Sequence, residues 1–232
     1  MIDAHLHVTK ELLPYLQEVR CIANADSPEE YRFLNEAAVP GMMISAGIHP
    51  WKADTTSWQE MEPILKRAAV IGEIGLDSEW CEVDMEIQRR MFHRQLELAR
   101  GNQIPVILHT KGMEREIMET IREYPNRYLV HWYACRDWVQ DYVDCGCWFT
   151  IGPDMMKNPA VKHLAGIVPL DRLLIESDGV EGIAWGQGKP LFPTEYQHAM
   201  QRHLQDISSL RGIGVSALIK QMEDNLEAFL YG

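Results

Sequence analysis

The feature that most constrains this chain is a regular alternation. Eight short apolar, strand-like runs are each followed by a stretch that carries a helix or a turn. The strand candidates are Met1–Val8, Glu18–Ala25, Gly41–Pro50, Val70–Asp77, Ile104–Thr110, Tyr128–Trp132, Cys147–Gly152 and Arg172–Asp178. Parallel strands need a crossover long enough to hold a helix, so this order builds a parallel sheet. Several runs are apolar throughout, as strands buried on both faces are. Eight such units predict an α/β fold of the (β/α)8 or TIM-barrel kind. The length of 232 residues suits one barrel, and no linker or low-complexity tract divides it. Residues 1–232 are therefore expected to form a single domain.

The intervening stretches carry helix signals. Ser27-Pro28-Glu29-Glu30 opens a helix expected to reach Ala38, and Ser57 opens one over Trp58–Ala68. Met91, Gln95 and Leu98, with Phe92, Leu96 and Ala99, mark an amphipathic helix over Met85–Gly101. Further helices are expected over Gly112–Tyr124, Asp137–Asp144, Asn158–Gly166, Thr194–Leu204 and Val215–Leu230. Residues 179–193 are glycine-rich and read as an irregular loop.

His5 and His7 lie two apart in the first strand, so they share a face. Neutral imidazole is a common divalent-metal ligand. His49, Glu73, His109, His131 and Asp178 each fall at or near the C-terminal end of a strand candidate, where barrels of this kind build their active sites. His5, His7, His109 and His131 with Glu73 and Asp178 would bring nitrogen and oxygen donors to one pocket. Such a set suits zinc, manganese, nickel or a similar divalent ion. Six donors exceed one tetrahedral shell, and a carboxylate can bridge, so two ions about 3.5–4 Å apart fit. The competing reading makes each a satisfied core polar group. It is weakest for Glu73, because an unpaired carboxylate inside Val-Ile-Gly-Glu-Ile-Gly would be costly to bury.

Charge and cysteines narrow the setting. A net charge of −12 argues against an extended basic nucleic-acid surface. It leaves room for bound cations that meet phosphate locally. The five cysteines are odd in number and include no CxxC pair, so free thiols in a reducing cytoplasm are expected. The N-terminus has no signal-peptide pattern, and no apolar run nears the roughly 18 residues of a membrane span.

Several motifs resemble the TatD-type metal-dependent hydrolases of the amidohydrolase superfamily. They are Ile2-Asp-Ala-His-Leu-His7, Ala46-Gly-Ile-His-Pro50, Ile71-Gly-Glu-Ile-Gly-Leu-Asp77, Phe92-His-Arg-Gln-Leu-Glu-Leu-Ala99, Ile104-Pro-Val-Ile-Leu-His109, His131, and Asn225-Leu-Glu-Ala-Phe-Leu230. The resemblance implies a two-metal barrel hydrolysing ester bonds, with DNA phosphodiesters the best-known substrate. It implies that His5, His7 and Asp178 hold one divalent ion, that His109 and His131 hold the second, and that Glu73 bridges them. This chain departs from the pattern at Trp51, at Ser78-Glu79-Trp80, at Ser177-Asp178-Gly179-Val180 and at His131-Trp132-Tyr133. These departures spare the metal-ligand positions and fall where substrate contacts would be.

The expected chemistry is metal-assisted hydrolysis of a phosphodiester or other ester, on a small substrate or DNA, with Asp178 moving the water's proton. His49 would hold a substrate oxygen or leaving group, or else brace the turn before Pro50. Asp77 would orient His109 or brace its loop. Lys111 would meet a phosphate or stay solvated. Trp51, Trp80, Trp132 and Trp185, read as exit-loop residues, would stack on a ring or simply pack. Hydrolysis of a carboxylic ester, lactone or amide is the rival activity. A catalytically silent metal-binding barrel is the rival class.

Overall fold

A computed structural model describes residues 1–232. Eight parallel strands lie side by side in one sheet, in sequence order. They are β1 (Ile2–Leu6), β2 (Arg20–Ala25), β3 (Met42–Ala46), β4 (Val70–Gly75), β5 (Val106–His109), β6 (Tyr128–Val130), β7 (Trp148–Ile151) and β8 (Leu173–Ile175). The sheet curls until β8 meets β1. The Asp178 amide donates to the His5 carbonyl at 3.1 Å, and the Asp3 carboxylate accepts the Ser177 amide at 2.9 Å. The (β/α)8 architecture expected from the alternation is the one the chain adopts.

Helices α1 (Pro28–Ala37), α2 (Trp58–Leu65), α3 (Met85–Asn102), α4 (Glu114–Ile121), α5 (Val139–Asp144), α6 (Pro159–Ile167), α7 (Gly179–Gln187), α8 (Tyr196–Arg211) and α9 (Val215–Tyr231) follow the strands. Their starts have local causes. Ser27 caps α1 through Oγ, which accepts the Glu30 amide, and Pro28 fills the first turn where no amide is needed. Asp84 caps α3 by accepting from the amides of Glu86 and Ile87.

Helix α3 does more than cover the barrel. Its buried face carries Gln88 and Gln95, seven residues and about two turns apart. Gln95 accepts the Ile48 amide at 2.7 Å and donates to the Ile48 carbonyl at 3.1 Å. Gln88 does the same for Asp77, at 2.9 and 3.1 Å. One helix thus clamps the exits of β3 and β4, the segments that carry His49 and Asp77.

The irregular loop expected over residues 179–193 is corrected by the structure: its first nine residues form α7. The glycines that suggest a loop are there for close approach. A Cβ on Gly182 would sit 2.6 Å from the Asp178 Cβ and 2.7 Å from the Ser177 carbonyl oxygen. Packing against the barrel overrides the weak helix propensity of glycine. Trp185 accordingly stands on a helix. No helix is long and apolar enough to cross a membrane.

Candidate metal centre

Every polar residue singled out at the strand ends arrives at one mouth of the barrel. Glu73, inside β4, is the hub and is almost fully buried. Its Oε1 lies 3.6 Å from His5 Nε2 and 3.3 Å from His7 Nε2. Its Oε2 lies 2.9 Å from His131 Nε2, 3.4 Å from His109 Nδ1 and 3.7 Å from His49 Nε2. Asp178 Oδ1 lies 3.3 Å from His5 Nε2 and 3.7 Å from His7 Nε2. His5 is sealed from solvent while His7 is half exposed, so the centre has a dry floor and a wet rim.

Three groups of donor atoms are close enough to share a cation: His5 with Glu73 and His131, His5 with His7 and Asp178, and His49 with Glu73 and His109. The donors also look unfinished. Ten buried side-chain polar atoms in the chain have no hydrogen-bond partner, and three of them, His5 Nε2, Glu73 Oε2 and Asp178 Oδ1, are donor atoms that converge at this mouth. Buried polar atoms are normally paired, and a divalent cation would supply the partner that these three lack. The residues fit such a group.

The electrostatics agree. Burial pushes the Glu73 carboxyl up, but the imidazoles of His131, His49 and His5 outweigh it and hold the pKa well below the usual value. Burial and His131 push His5 down, yet Glu73 and Asp178 lift it to about 9. Burial likewise opposes His131, but Glu73 and Glu176 hold it well above its ordinary value. The two carboxylates, Glu73 and Asp178, are therefore anionic and favour positive charge on the imidazoles around them.

His49 differs from its neighbours. Burial lowers its pKa to about 3 despite the adjacent Glu73, so the ring is neutral. Its Nδ1 accepts the Trp51 amide at 3.2 Å, which places the remaining proton on Nε2. Nε2 faces the pocket, 3.4 Å from His109 Nδ1, as a hydrogen-bond donor.

Asp77 orients His109, accepting from its Nε2 at 3.1 Å and turning Nδ1 toward Glu73. The same carboxylate accepts the Trp51 indole N–H at 2.7 Å, so Trp51 is occupied as a positioning donor for Asp77. Lys111 is also committed, 2.9 Å from Glu79 and 4.5 Å from the Trp80 ring centroid.

Two residues escaped the sequence reading. Glu176 is fully buried, and its Oε2 lies 3.5 Å from His131 Nδ1, the counterpart of Asp77 for the other imidazole. Asp3 is fully buried beneath His5 and accepts from the Ser177 amide and the Tyr196 hydroxyl. Both carry the signal that singled out Glu73, a carboxylate in an apolar strand run. Asp3 also shares the period-two face of His5 and His7.

An eight-stranded barrel with imidazoles and carboxylates converging at the C-terminal ends of its strands defines the class: barrels built to carry a divalent-metal centre. The sequence comparison narrows the class, because the profile of the TatD related DNase family matches residues 2–231, and the chain belongs to that family. An uncharacterized metal-dependent hydrolase of Bacillus subtilis, YabD, is 26% identical over 161 residues, which is 65% of this chain and 60% of the relative. The 3'-5' ssDNA/RNA exonuclease TatD of Escherichia coli is 29% identical over 148 residues, 58% of this chain and 56% of the relative. The chain thus spans less than two thirds of these relatives' own length. The solved structure of the TatD homologue YjjV from E. coli superposes with a TM-score of 0.84 at 20% identity, covering 100% of this chain and 98% of that one. A hydrolase TatD family protein from Entamoeba histolytica gives 0.79 at 14% identity, with the same coverage.

Proposed function

We propose that this chain is a metal-dependent phosphodiesterase acting on single-stranded nucleic acid or small phosphodiesters. The observation that carries the reading is the concentration of unpartnered buried polar atoms around Glu73. The names of the relatives support the chemistry, one being an ssDNA/RNA exonuclease.

His5, His7 and Asp178 would hold one cation, His109 and His131 a second, and Glu73 would be shared between them. Bound there, divalent ions would supply Lewis-acid activation of water and of the scissile ester. The rest falls to the chain's own groups. Asp178 sits at the rim, with its side chain about one-quarter exposed, where entering water meets it. Its depressed pKa, held down against burial by His5 and His7, keeps it ionised and ready to accept the water's proton. As the water oxygen bonds to phosphorus and the ester P–O bond breaks, that proton passes to the leaving alkoxide. The products are a phosphomonoester and an alcohol. His49 donates its Nε2–H to a substrate oxygen, and the buried floor formed by His5 and Glu73 keeps bulk water away. The residues suit zinc, manganese, nickel or magnesium, and a one-ion enzyme would use the same hub.

The test compares chelator-treated protein with protein reloaded in turn with each of these metals. The substrates are a bis-aryl phosphodiester, a single-stranded oligonucleotide and a panel of lactones, carboxylic esters and amides. The expected result is metal-restored cleavage of both phosphodiesters, lost in Glu73→Ala. Phosphodiester inactivity with metal fully loaded and turnover of a lactone or amide would overturn the phosphodiesterase reading. Absence of any metal in elemental analysis, with no metal-dependent thermal shift, would favour a silent barrel.

A further inference from the structure

Three indoles that the chemistry above does not use stand together at the mouth. Trp80 follows Asp77 by three residues, Trp132 follows His131 directly, and Trp185 lies two turns along α7 from Asp178. Each therefore hangs from a strand end that also carries a member of the polar centre. Their ring centroids lie 5.4 Å apart for Trp132 and Trp185 and 6.0 Å apart for Trp80 and Trp185. Both pairs meet edge to face, at 76° and 69°. Trp185 is 63% exposed and Trp80 is 54% exposed.

The cluster is anchored from below. The Trp132 indole N–H donates to Asp154 at 2.8 Å and its backbone amide to Thr150 Oγ1 at 3.0 Å. Its ring lies flat over Gly152, where a Cβ would come within 2.4 Å of it. Trp80 is held by Lys111, which Glu79 in turn fixes. Trp185 rides on α7, which begins directly after Asp178 and whose Gly179 amide donates to Ser177 Oγ at 2.9 Å. A solvent-facing aromatic cluster held in place at an active-site mouth is costly to leave in water unless a ligand covers it.

We infer that Trp80, Trp132 and Trp185 form an aromatic subsite that stacks an unpaired nucleobase of the strand whose phosphodiester lies at the Glu73 centre. This rests on the phosphodiesterase reading and adds the substrate feature that the centre itself cannot select. The net charge of −12 gives the chain no general attraction for a phosphate backbone, and Lys111, which lies over the Trp80 ring, is already paired with Glu79. Base stacking supplies affinity without net positive charge and accepts every base, because each has a π-face. A paired base inside a duplex has no free face to offer. The subsite therefore favours single-stranded ends and works at elevated salt.

The experiment has two independent arms. In the first, chelator-treated protein is titrated with thymidine monophosphate and with abasic deoxyribose phosphate while tryptophan fluorescence is followed. Quenching is expected with the nucleotide alone, and it should vanish when Trp185→Ala and Trp80→Ala are combined. Trp138→Ala, outside the cluster, should leave it intact. In the second arm, KM is measured on the metal-loaded enzyme for a short oligothymidylate and for the same strand with an abasic end. The abasic strand should show a KM about 5- to 150-fold higher, the equivalent of about 1–3 kcal/mol of stacking. Trp185→Ala should erase that ratio, and Trp185→Phe should keep part of it. Quenching without any phosphodiester hydrolysis would leave the subsite standing and sink the hydrolase reading. Hydrolysis at equal KM on both strands, or quenching that survives the double substitution, would overturn the subsite.

Discussion

Replacing Asp77 by Asn tests how the centre is held, because the carboxylate answers four donors with two oxygens. Its Oδ2 accepts the Trp51 indole N–H at 2.7 Å and His109 Nε2–H at 3.1 Å. Its Oδ1 accepts the amides of Glu79 at 2.9 Å and Trp80 at 2.8 Å. An amide has one acceptor oxygen and one NH2, so either rotamer turns a donor toward a donor pair. Facing the NH2 to the two backbone amides orphans both, at about 1–3 kcal/mol each. The other rotamer is the cheaper one, since His109 escapes by moving its proton from Nε2 to Nδ1. That proton then points at Glu73 Oε2, 3.4 Å away, and closes the lone pair that faces the centre.

The expected cost is therefore mostly functional. Losing the hydrogen bond that orients a metal-binding imidazole typically weakens metal binding about 10- to 100-fold. The residual strain, on the order of 1–2 kcal/mol, would lower Tm by about 2–8 °C in a chain of this size. Competition with a chelator of known affinity measures the first, and a thermal melt of metal-free protein measures the second. Unchanged metal affinity and stoichiometry in Asp77→Asn would refute the claim that Asp77 sets the His109 tautomer.

The raised imidazole pKa values predict that metal loading releases protons. His5, lifted to about 9 by Glu73 and Asp178 against burial, is protonated at neutral pH in metal-free protein, and a cation needs its lone pair. Apparent affinity should then rise as pH climbs from 6 toward 9, by up to about tenfold per unit for each proton displaced, and level off above that. Calorimetry in buffers of different ionisation enthalpy reads the proton count, and zero released would contradict the assignment. Glu176→Gln should weaken metal binding about 10- to 100-fold through His131 while leaving the fold intact by circular dichroism. Gln95→Leu orphans the Ile48 amide and carbonyl, and should cost about 2–4 kcal/mol in denaturant melts and raise KM by loosening His49. Unaltered stability would show that the clamp is dispensable.

Much of this was legible because parallel barrel strands are continuous apolar runs, so a carboxylate or imidazole at their ends stands out. Glu73 is visible for that reason, and so are the period-two neighbours His5 and His7. Glu176 sits in the same setting, in Leu-Leu-Ile-Glu-Ser-Asp, but Asp178, two residues on, is the residue of that run that matches a family ligand position. Helix α7 was not legible because its glycines serve contacts with Asp178, Ser177 and the loop after β7 that only the closed barrel creates. Trp51 is the opposite case. A tryptophan beside His-Pro suggests stacking, yet its N–H is spent on Asp77, 26 residues away in sequence. Strand patterning reports which face a residue occupies. It does not report which partner across the mouth claims its polar atom.

The seam between β8 and β1 shows how the fold carries an unsatisfied centre. Asp178 and His5 face each other across it, joined by one backbone hydrogen bond. Asp178 takes a left-handed backbone (φ +56°), a conformation that a non-glycine residue holds only where its surroundings enforce it. The enforcing group is Asp3, which binds the Ser177 amide and hydroxyl on one side and the Tyr196 hydroxyl of α8 on the other. Burial raises the Asp3 pKa to about 7, even though these hydrogen bonds favour the ionised form. A pKa raised on folding contributes stability below the unfolded value near 4, and that stability is lost as pH rises through 7. At the pH where the centre is most open to metal, ionisation of this carboxylate therefore lowers the stability of the fold. The carboxylate is retained where it fixes the turn that aims Asp178, so the seam exchanges stability for the placement of one oxygen.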